Sequence, residues 1–274
     1  MKLAELLEKL GEIAAQHDLG EPLICGGVVR DVQLGEIKEL HDIDITTGRE
    51  DVGQLADLFA AETGADTRTF PDGHKQVSLD GIQFDFSTNF TYDNLDELLD
   101  KAGVVIEDND GLARETYSRD FTINALLMPL DFSRVIDPTG MGLDDLKAGV
   151  LRCPVDAGAS FKASPNRIVR SYLHAAKFGF AFSPELELAI KENLDLLAGV
   201  NPRYAGEKFN EVLRINPNFL GRLIEDRIIE KIPHTKYITR ELIKQRRLLD
   251  VMAARTATRN KTPLAKRSNE ATHG

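Results

Sequence analysis

The feature that most constrains this chain is a pair of glycines between a short apolar segment and a helix-compatible one. Residues 22–25 read PLIC and end at Gly26 and Gly27, and residues 28–34 then have the spacing of a helix. Backbone N–H groups at such a turn can approach phosphate oxygens, and Arg30 adds a planar cation that suits the same anion. A simple reversal of the chain after a strand explains the same glycines. The pattern predicts strand, turn and helix, and leaves the phosphate role open.

A pair of carboxylates follows this unit. Residues 41–46 read HDIDIT, and this alternation places Asp42 and Asp44 on one face of a strand. Hard oxygen ligands held close together suit two magnesium ions and metal-assisted phosphoryl or nucleotidyl transfer, although a solvated strand shows the same pattern. Asp85, in a candidate strand at residues 82–86, is a third candidate ligand if that strand lies beside the first. The alternative for Asp85 is an exposed position on an edge strand.

The composition is that of a globular chain, because 274 residues with 42% hydrophobic content are enough to bury a core. No window approaches the roughly 18 uninterrupted apolar residues of a membrane span. The first 16 residues carry three glutamates instead of the apolar centre of a signal peptide. We therefore expect a cytoplasmic protein with no membrane partner. Cys25 and Cys153 lack the spacing of a metal site, so both are predicted to be buried apolar residues.

Hydrophobic periodicity divides the chain into two parts. The first 14 residues have the spacing of an amphipathic helix, and from about Ser164 the pattern is predominantly helical. Between these segments we predict a helix at residues 51–62, a loop at 67–74, and strands at 76–79 and 82–86. In the second part we predict helices at residues 164–177, 184–197, 202–213 and 240–254. A mixed α/β front half is thus expected before an all-helical back half.

The charge is unevenly distributed. A net charge of −10 argues against a nucleic-acid partner, but residues 240–274 contain nine Lys or Arg and three Asp or Glu. These residues carry a net charge of +6, so residues 1–239 carry a net charge of −16. A basic tail after an acidic body is compatible with an arm that grips RNA and equally with a solvated tail. Charge alone does not decide between them.

A basic stripe is predicted within the second half. Arg167, Arg170, His174 and Lys177 follow one another at intervals of three or four residues, so a helix would display them along one face. Such a stripe suits a triphosphate or an RNA backbone. A solvated helix face produces the same spacing.

Five motifs occur in a fixed order between residues 23 and 213. They read GGVVRDVQLG with LHDIDITT, then SRDFTINAL at 118–126, IDP with GLDDL at 136–146, RIVR with FGF at 167–180, and NPRYAGEKFNEVL at 201–213. In this order they resemble the signatures of the class II tRNA nucleotidyltransferase and bacterial poly(A) polymerase family. Five ordered motifs are far more specific than any one of them.

The resemblance implies a polymerase-β-like α/β head followed by an all-helical neck and a shortened body. The implied limits are residues 1–150 for the head, 151–215 for the neck, and 216–274 for a short body with a basic tail. The implied reaction is template-independent addition of nucleotides from ATP or CTP to the 3′ end of an RNA acceptor such as tRNA. Two magnesium ions would assist in-line attack of the acceptor hydroxyl on the α-phosphate, with release of pyrophosphate.

The resemblance also implies roles for individual residues. For Arg119 and Asp120 a local ion pair within a core-like segment is the alternative. The implied roles are metal binding for Asp42 and Asp44, triphosphate binding for Gly26, Gly27 and Arg30, ribose-side contacts for Arg119, Asp120 and Asn124, and nucleotide selection for Ser164, Arg167 and Arg170. Asp85 stays a third candidate metal ligand on the strand pattern alone.

Several positions depart from the family pattern. Ala163 and Ser164 stand where the family has the glutamate and aspartate of its base-reading helix. A serine hydroxyl both donates and accepts a hydrogen bond, whereas a carboxylate only accepts, so altered nucleotide selection is expected. Ser118 replaces the first arginine of the second motif, and Asn-Phe at residues 89–90 stands where an arginine is common. The length after Leu213 predicts a body shorter than the one with which longer relatives hold tRNA.

The sequence leaves the product, the acceptor and the oligomeric state open. The product is CCA, a single A or a homopolymeric tail, and the last is the product of a poly(A)-polymerase-like enzyme. A catalytically silent RNA-binding relative is one rival reading, although Asp42 and Asp44 are both retained. A nucleotidyltransferase that modifies a small molecule or a protein hydroxyl is another, and it suits the acidic front portion.

Removal of the residues after Arg240 discriminates between an RNA acceptor and a small one. An RNA-modifying enzyme is expected to lose acceptor affinity and much of the salt dependence of binding, because the deleted segment carries the excess of basic residues. Measurement of acceptor affinity between about 50 and 200 mM salt, with the full and the shortened chain, distinguishes the two kinds of acceptor. Unchanged affinity and salt slope would favour the small-molecule reading.

Overall fold

The structure, a computed structural model, describes residues 2–232 apart from 37–39, 72, 89–91 and 107–109, together with residue 244. The Asn-Phe pair at residues 89–90 and, except for residue 244, the predicted helix at 240–254 lie outside the described residues. No helix in the described part of the chain is both long enough and apolar enough to cross a membrane.

The front half is organised around a six-stranded mixed sheet. Its strand order is β3-β4-β5-β2-β1-β6, in which β2 and β5 run parallel and every other neighbouring pair is antiparallel. The apolar runs of the sequence form buried strands, and β1 and the edge strand β6 are buried along their whole length. The strands are β1 Leu23–Cys25, β2 Asp42–Thr46, β3 Asp66–Thr69, β4 Lys75–Leu79, β5 Ile82–Phe86 and β6 Leu127–Pro129.

Helices cover the sheet and connect its strands. The predicted apolar stripe of α1 is confirmed, because its leucines Leu6, Leu7 and Leu10 are buried. Helix α3 packs Phe59 edge-on against Phe84 of β5, with 5.4 Å between ring centroids. The helices of this half are α1 Leu3–Gln16, α2 Gly27–Gln33, α3 Val52–Thr63, α4 Leu95–Ala102, α5 Gly111–Tyr117 and α6 Gly142–Ala148, with a 3-10 turn at Thr122–Asn124.

The second half is predominantly helical, as predicted. Helices α9 and α10 begin where a capping side chain precedes a proline: Ser183 accepts from the Leu186 N–H, and Asn201 accepts from the Arg203 N–H. The elements are β7 Val150–Leu151, α7 Ala157–Ala163, α8 Asn166–Phe178, β8 Ala181–Phe182, α9 Pro184–Glu192, a 3-10 segment Leu194–Gly199, α10 Pro202–Ile215, α11 Phe219–Glu225 and α12 Ile228–Lys231.

One hydrophobic core runs through both halves. A single cluster of buried side chains extends from Leu6 in α1 to Ile232 after α12. The two-residue strand β8 pairs with β7, so the helical half also contributes a strand. Cys25 and Cys153 are both buried, as predicted. The domain limits at residues 150 and 215 remain a prediction.

The predicted loop at residues 67–74 was wrong. Residues Asp66–Thr69 form the edge strand β3, which pairs with β4. All four side chains of β3 are exposed, so this strand has no apolar face from which periodicity could reveal it. The short helices α4 to α7 were not predicted because their seven or eight residues are too few to establish a helical period.

Helix α8 packs on the front half through an aromatic contact that includes a titratable ring. The His174 ring lies edge-on to Phe121 and stacks with Phe178, and its Nε2 lies 3.4 Å from the Asn124 amide nitrogen. Burial lowers the pKa of His174 to about 3, and nearby Arg30 and Arg170 act in the same direction against the opposing charge of Asp120. The folded protein therefore keeps this ring neutral.

His174→Phe is expected to flatten the loss of stability at acid pH. Below the unfolded pKa of about 6.5, the unfolded chain binds a proton at His174 that the folded protein does not bind until about pH 3. Above about pH 6.5 His174 does not lower the free energy of unfolding. Between about pH 6.5 and pH 3 it lowers that free energy by up to about 1.4 kcal/mol for each unit by which the pH falls. Chemical unfolding between pH 7 and 4 measures it. Equal slopes for the variant and the wild type would contradict the assignment.

Candidate active site

The glycine turn lies directly over a strand carboxylate. Gly26 ends β1 with φ +73°, and α2 begins at Gly27. A Cβ at Gly26 would lie 2.5 Å from Oδ2 of Asp44 and 3.1 Å from Nη1 of Arg119. Both the positive φ and this close approach require glycine. The turn thus brings its backbone, a carboxylate and a guanidinium together.

Asp44 and Asp85 lie side by side. Strands β2 and β5 pair in parallel with Asp44 opposite Asp85, so both side chains project from the same face of the sheet. The Gln76 amide donates to Asp85 Oδ1 at 2.9 Å. Burial raises the pKa of Asp44, as does the charge of Asp85, while Arg119 lowers it. Two neighbouring carboxylates of this kind favour a cation between them.

Asp42 occupies a different environment. It begins β2 on the same face as Asp44, but its side chain is exposed and is not among those that line the cavity beside Asp44. Within the described ranges, no three His, Cys, Asp or Glu side chains are grouped closely enough to hold a metal ion. The structure therefore brings Asp44 and Asp85 together and leaves Asp42 at the edge.

Arg119 is paired with a carboxylate that the motif did not include. Its Nη2 donates to Glu115 Oε1 at 2.6 Å and to the Cys25 sulfur at 2.9 Å. Burial raises the pKa of the Cys25 thiol well above its usual range, so this sulfur is neutral. The predicted alternative of a local Arg119–Asp120 ion pair does not match this geometry, since Asp120 pairs with Arg170 instead. The sequence signal for Glu115 was its spacing of four residues from Arg119.

A second network joins the head to helix α8. Asp120 Oδ2 lies 2.8 Å from Arg170 Nη2, and its Oδ1 accepts from the Asn124 amide at 3.0 Å. Burial by itself would raise the pKa of Asp120, but Arg170, His174 and the Asn124 hydrogen bond outweigh it and lower the pKa to about 2. Asn124 also accepts from Arg30 at 2.6 Å. Arg170 thus contacts this buried carboxylate directly, and Arg30 is connected to it through Asn124.

Arg167 lies at the cavity but is committed to protein partners. Its Nη1 donates to the Tyr92 hydroxyl at 2.6 Å and to Ser160 Oγ at 2.7 Å, and its Nη2 donates to the Ser118 carbonyl at 2.5 Å. Ser164 lies just before α8 and lines the cavity. Arg167 thus braces the segment that carries Arg119, whereas the hydroxyl of Ser164 borders open space.

These groups surround one cavity of about 1100 Å³. Its sheet side carries carboxylates, and arginines approach it from α2, α8 and the segment after α5. Sequence reasoning did not single out Glu50, His74, Gln76, Asn166 and Tyr204, which also line it. Asn166 and Tyr204 lie within or beside the quoted motifs, whereas no spacing in the sequence connects the other three to them. The predicted residues in its lining are Gly26, Gly27, Arg30, Asp44, Asp85, Arg119, Asp120, Asn124, Ser164, Arg167 and Arg170.

Comparison with known proteins gives consistent relatives. Residues 23–152 match the family model of the poly A polymerase head domain. The A-adding tRNA nucleotidyltransferase of Aquifex aeolicus is 30% identical over 244 residues, which cover 83% of this chain and 28% of that protein. The mitochondrial CCA tRNA nucleotidyltransferase of Saccharomyces cerevisiae is 32% identical over 193 residues, which cover 62% of this chain and 34% of that protein. The chain therefore spans about a third of the length of these relatives.

The fold is also shared with a solved structure. A tRNA nucleotidyltransferase complexed with a primer tRNA and an incoming ATP analog superposes with a TM-score of 0.63 at 26% identity, over 91% of this chain and 70% of the other. The likeness extends well beyond the head domain. With the sheet, the glycine turn and the ordered motifs, these matches establish that the chain belongs to the class II CCA-adding enzyme and poly(A) polymerase family.

Proposed function

We propose that this protein adds nucleotides from a nucleoside triphosphate to the 3′ end of an RNA without a template, and that the RNA is a tRNA. The observation that carries the proposal is the division of the cavity, with Asp44 and Asp85 on the sheet side and Arg30, Arg119 and Arg170 around the rest. A triphosphate is an anion that needs both a cation on the carboxylates and direct arginine contacts. The names of the Aquifex and yeast relatives, and the tRNA and ATP analog bound in the solved structure, support the substrate classes.

The donor set fits magnesium. Asp44 and Asp85 offer adjacent hard oxygens, and Asp42 lies two residues from Asp44 on the same strand face. In this proposal Asp44 and Asp85 would hold magnesium, and Asp42, which lies outside the cavity lining, would contribute to a second ion from the edge of the site. When bound, magnesium would lower the pKa of an attacking hydroxyl and would neutralise charge on the triphosphate and the departing pyrophosphate.

The chain's own residues bind and orient the nucleotide. Gly26 and Gly27 leave room for the triphosphate next to Arg30, and Asp120 with Asn124 faces the ribose side. The 3′ oxygen of the acceptor attacks the α-phosphorus, a new phosphoester bond forms, and the bond to the β-phosphate breaks to release pyrophosphate. The hydroxyl proton is lost to solvent.

The domain limits remain part of the proposal: residues 1–150 form the head, 151–215 the neck and 216–274 the body and tail. The cytoplasmic location also stays a prediction.

A poly(A)-type tailing enzyme is the second candidate. It is favoured by the departures at the base-reading segment, where Ser164 lines the cavity in place of a carboxylate and Arg167 donates to Tyr92, Ser160 and Ser118. A site without the acceptor-only carboxylate has a less specific hydrogen-bond pattern.

Sequencing of RNA 3′ ends tests both candidates. Incubation of the full chain with tRNA lacking its terminal nucleotides and all four triphosphates is expected to yield extended ends, with relaxed base selection. A homopolymeric A tail would select the second candidate. Strict addition of C, C and A would show that base selection is intact and would contradict the effect assigned to Ser164. Absence of any addition would overturn the proposed function.

Asp42→Asn and Asp44→Asn are each expected to lower the rate of incorporation by about 10³-fold or more, because each removes a metal-binding charge. Asp44→Asn is not expected to lower the free energy of unfolding, since the ionised Asp44 carboxylate is largely buried and costs desolvation energy. Asp66→Asn, on the exposed edge strand, is the matched control. Near wild-type incorporation by either variant would overturn the metal assignment for that residue.

Gly26→Ala separates backbone strain from obstruction of the site. Both Gly26 and Gly64 have positive φ, but a Cβ at Gly64 meets nothing within 4 Å, whereas one at Gly26 meets Asp44. Alanine at Gly64, a left-handed helical position, is expected to cost about 1–2 kcal/mol in stability, and alanine at Gly26 more, because its ψ of −138° lies outside that region and its Cβ clashes with Asp44. Only Gly26→Ala is expected to reduce incorporation, by about 10²-fold, because Asp44 must move. Equal activity of the two variants would mean that the clearance over Asp44 has no functional role.

A further inference from the structure

A fully buried carboxylate outside the predicted motifs lies next to the cavity. Glu115 in α5 has no exposed surface. Its Oε1 accepts from Arg119 Nη2 at 2.6 Å, and its Oε2 accepts from the Thr46 hydroxyl at the end of β2. Thr46 Oγ1 in turn accepts from the Gly48 N–H at 2.9 Å. Every oxygen of this carboxylate is therefore used, as a buried charge requires.

The guanidinium of Arg119, which pairs with Glu115, faces Asp44 on its other side. Arg119 Nη2 is held by Glu115 and Cys25, while its Nη1 stands 3.1 Å from the position of a Cβ on Gly26, which is itself 2.5 Å from Asp44 Oδ2. Glu115 and Asp44 are the two carboxylates whose charges act on this guanidinium. Arg119 is thus shared between a carboxylate that lines the cavity and one that does not.

This arrangement makes the two carboxylates competitors for one cation. If Glu115 lost its charge, the guanidinium would keep Asp44 as its remaining charged partner, and a planar fork readily forms a bidentate pair with a carboxylate. Arg119 would then occupy the oxygens that a divalent ion needs. The Glu115–Thr46 hydrogen bond opposes this movement, because it fixes Glu115 to the strand that carries Asp44.

We propose that Glu115 is a positioning residue that holds Arg119 away from a full pairing with Asp44 and so keeps the Asp44 carboxylate available to magnesium. This inference rests on the proposed function. Glu115 itself touches neither nucleotide nor metal in this role. Its effect is transmitted through Arg119, in the way that outer contacts orient metal ligands.

The test compares Glu115→Gln, Glu115→Asp, Arg119→Met and the double variant Glu115→Gln/Arg119→Met. Asp96→Asn is the control. Asp96 is the exposed ion-pair partner of Arg114, which lies on the same helix as Glu115. Two readouts are used: the magnesium concentration that gives half-maximal incorporation, and binding of Mn²⁺ alone to the protein, which needs no turnover. Thermal unfolding reports whether each variant is folded.

Glu115→Gln is expected to weaken Mn²⁺ binding and raise the half-maximal magnesium concentration, each by about tenfold, and Glu115→Asp to recover part of the loss. In the Arg119→Met background, Glu115→Gln is expected to cause no further weakening, because no guanidinium remains to occupy Asp44. Asp96→Asn should match the wild type. If Glu115→Gln alone unfolds, the double variant can still be compared with Arg119→Met, because it leaves no buried charge without a partner at this pair.

Wild-type metal binding by Glu115→Gln, or additive losses in the double variant, would overturn the inference. A wild-type protein that adds no nucleotide would instead overturn the proposed function. The Mn²⁺ measurement would still decide the role of Glu115 in that case.

Discussion

The pairing of buried charges around one cavity is the constraint on which the rest of this structure depends. Four arginines and four carboxylates line it: Arg30, Arg119, Arg167, Arg170, Asp44, Glu50, Asp85 and Asp120. Arg30, Arg119, Arg167 and Asp120 are buried, and burial of such a charge without a partner is costly, so each of these four positions depends on a counter-charge or a hydrogen bond from another part of the chain. The strands, α2, α5 and α8 must therefore assemble together.

The same pairs explain why the helical half is part of the site. Arg170 of α8 pairs with Asp120, and Arg167 of α8 donates to the Ser118 carbonyl, so the segment 118–120 is held from the helical side. His174 and Phe178 of α8 add aromatic contacts to Phe121 and Arg30. Because one hydrophobic core runs through both halves, the cavity is a product of their packing. Without α8 the cavity would lack two of its four lining arginines, Arg167 and Arg170.

Two departures from the family pattern, Ser118 and Ser164, lie close to Arg167: one accepts its hydrogen bond and the other precedes helix α8 at the cavity. Ser118 is fully buried, and its carbonyl accepts from Arg167, the residue that the family pattern assigns to nucleotide selection. Arg167 also donates to Tyr92 and Ser160. Ser164 and Asn166 line the cavity next to it, and each of these two side chains carries both a hydrogen-bond donor and an acceptor. The acceptor-only carboxylate has been exchanged for groups that tolerate either hydrogen-bond pattern.

The sequence by itself determined the local elements: the helical stripe of α1, the glycine turn at Gly26, the alternation that puts Asp42 and Asp44 on one strand face, and the motif order that identifies the family. These are properties of a few neighbouring residues, which is why periodicity reveals them. Only the tertiary structure decided that Asp85 lies beside Asp44, that Asp42 lies outside the cavity lining, and that Glu115 shares Arg119 with Asp44. Contacts such as that of Arg30 with Asn124, 94 residues apart, follow from strand order and charge pairing across the core, and no local pattern encodes them.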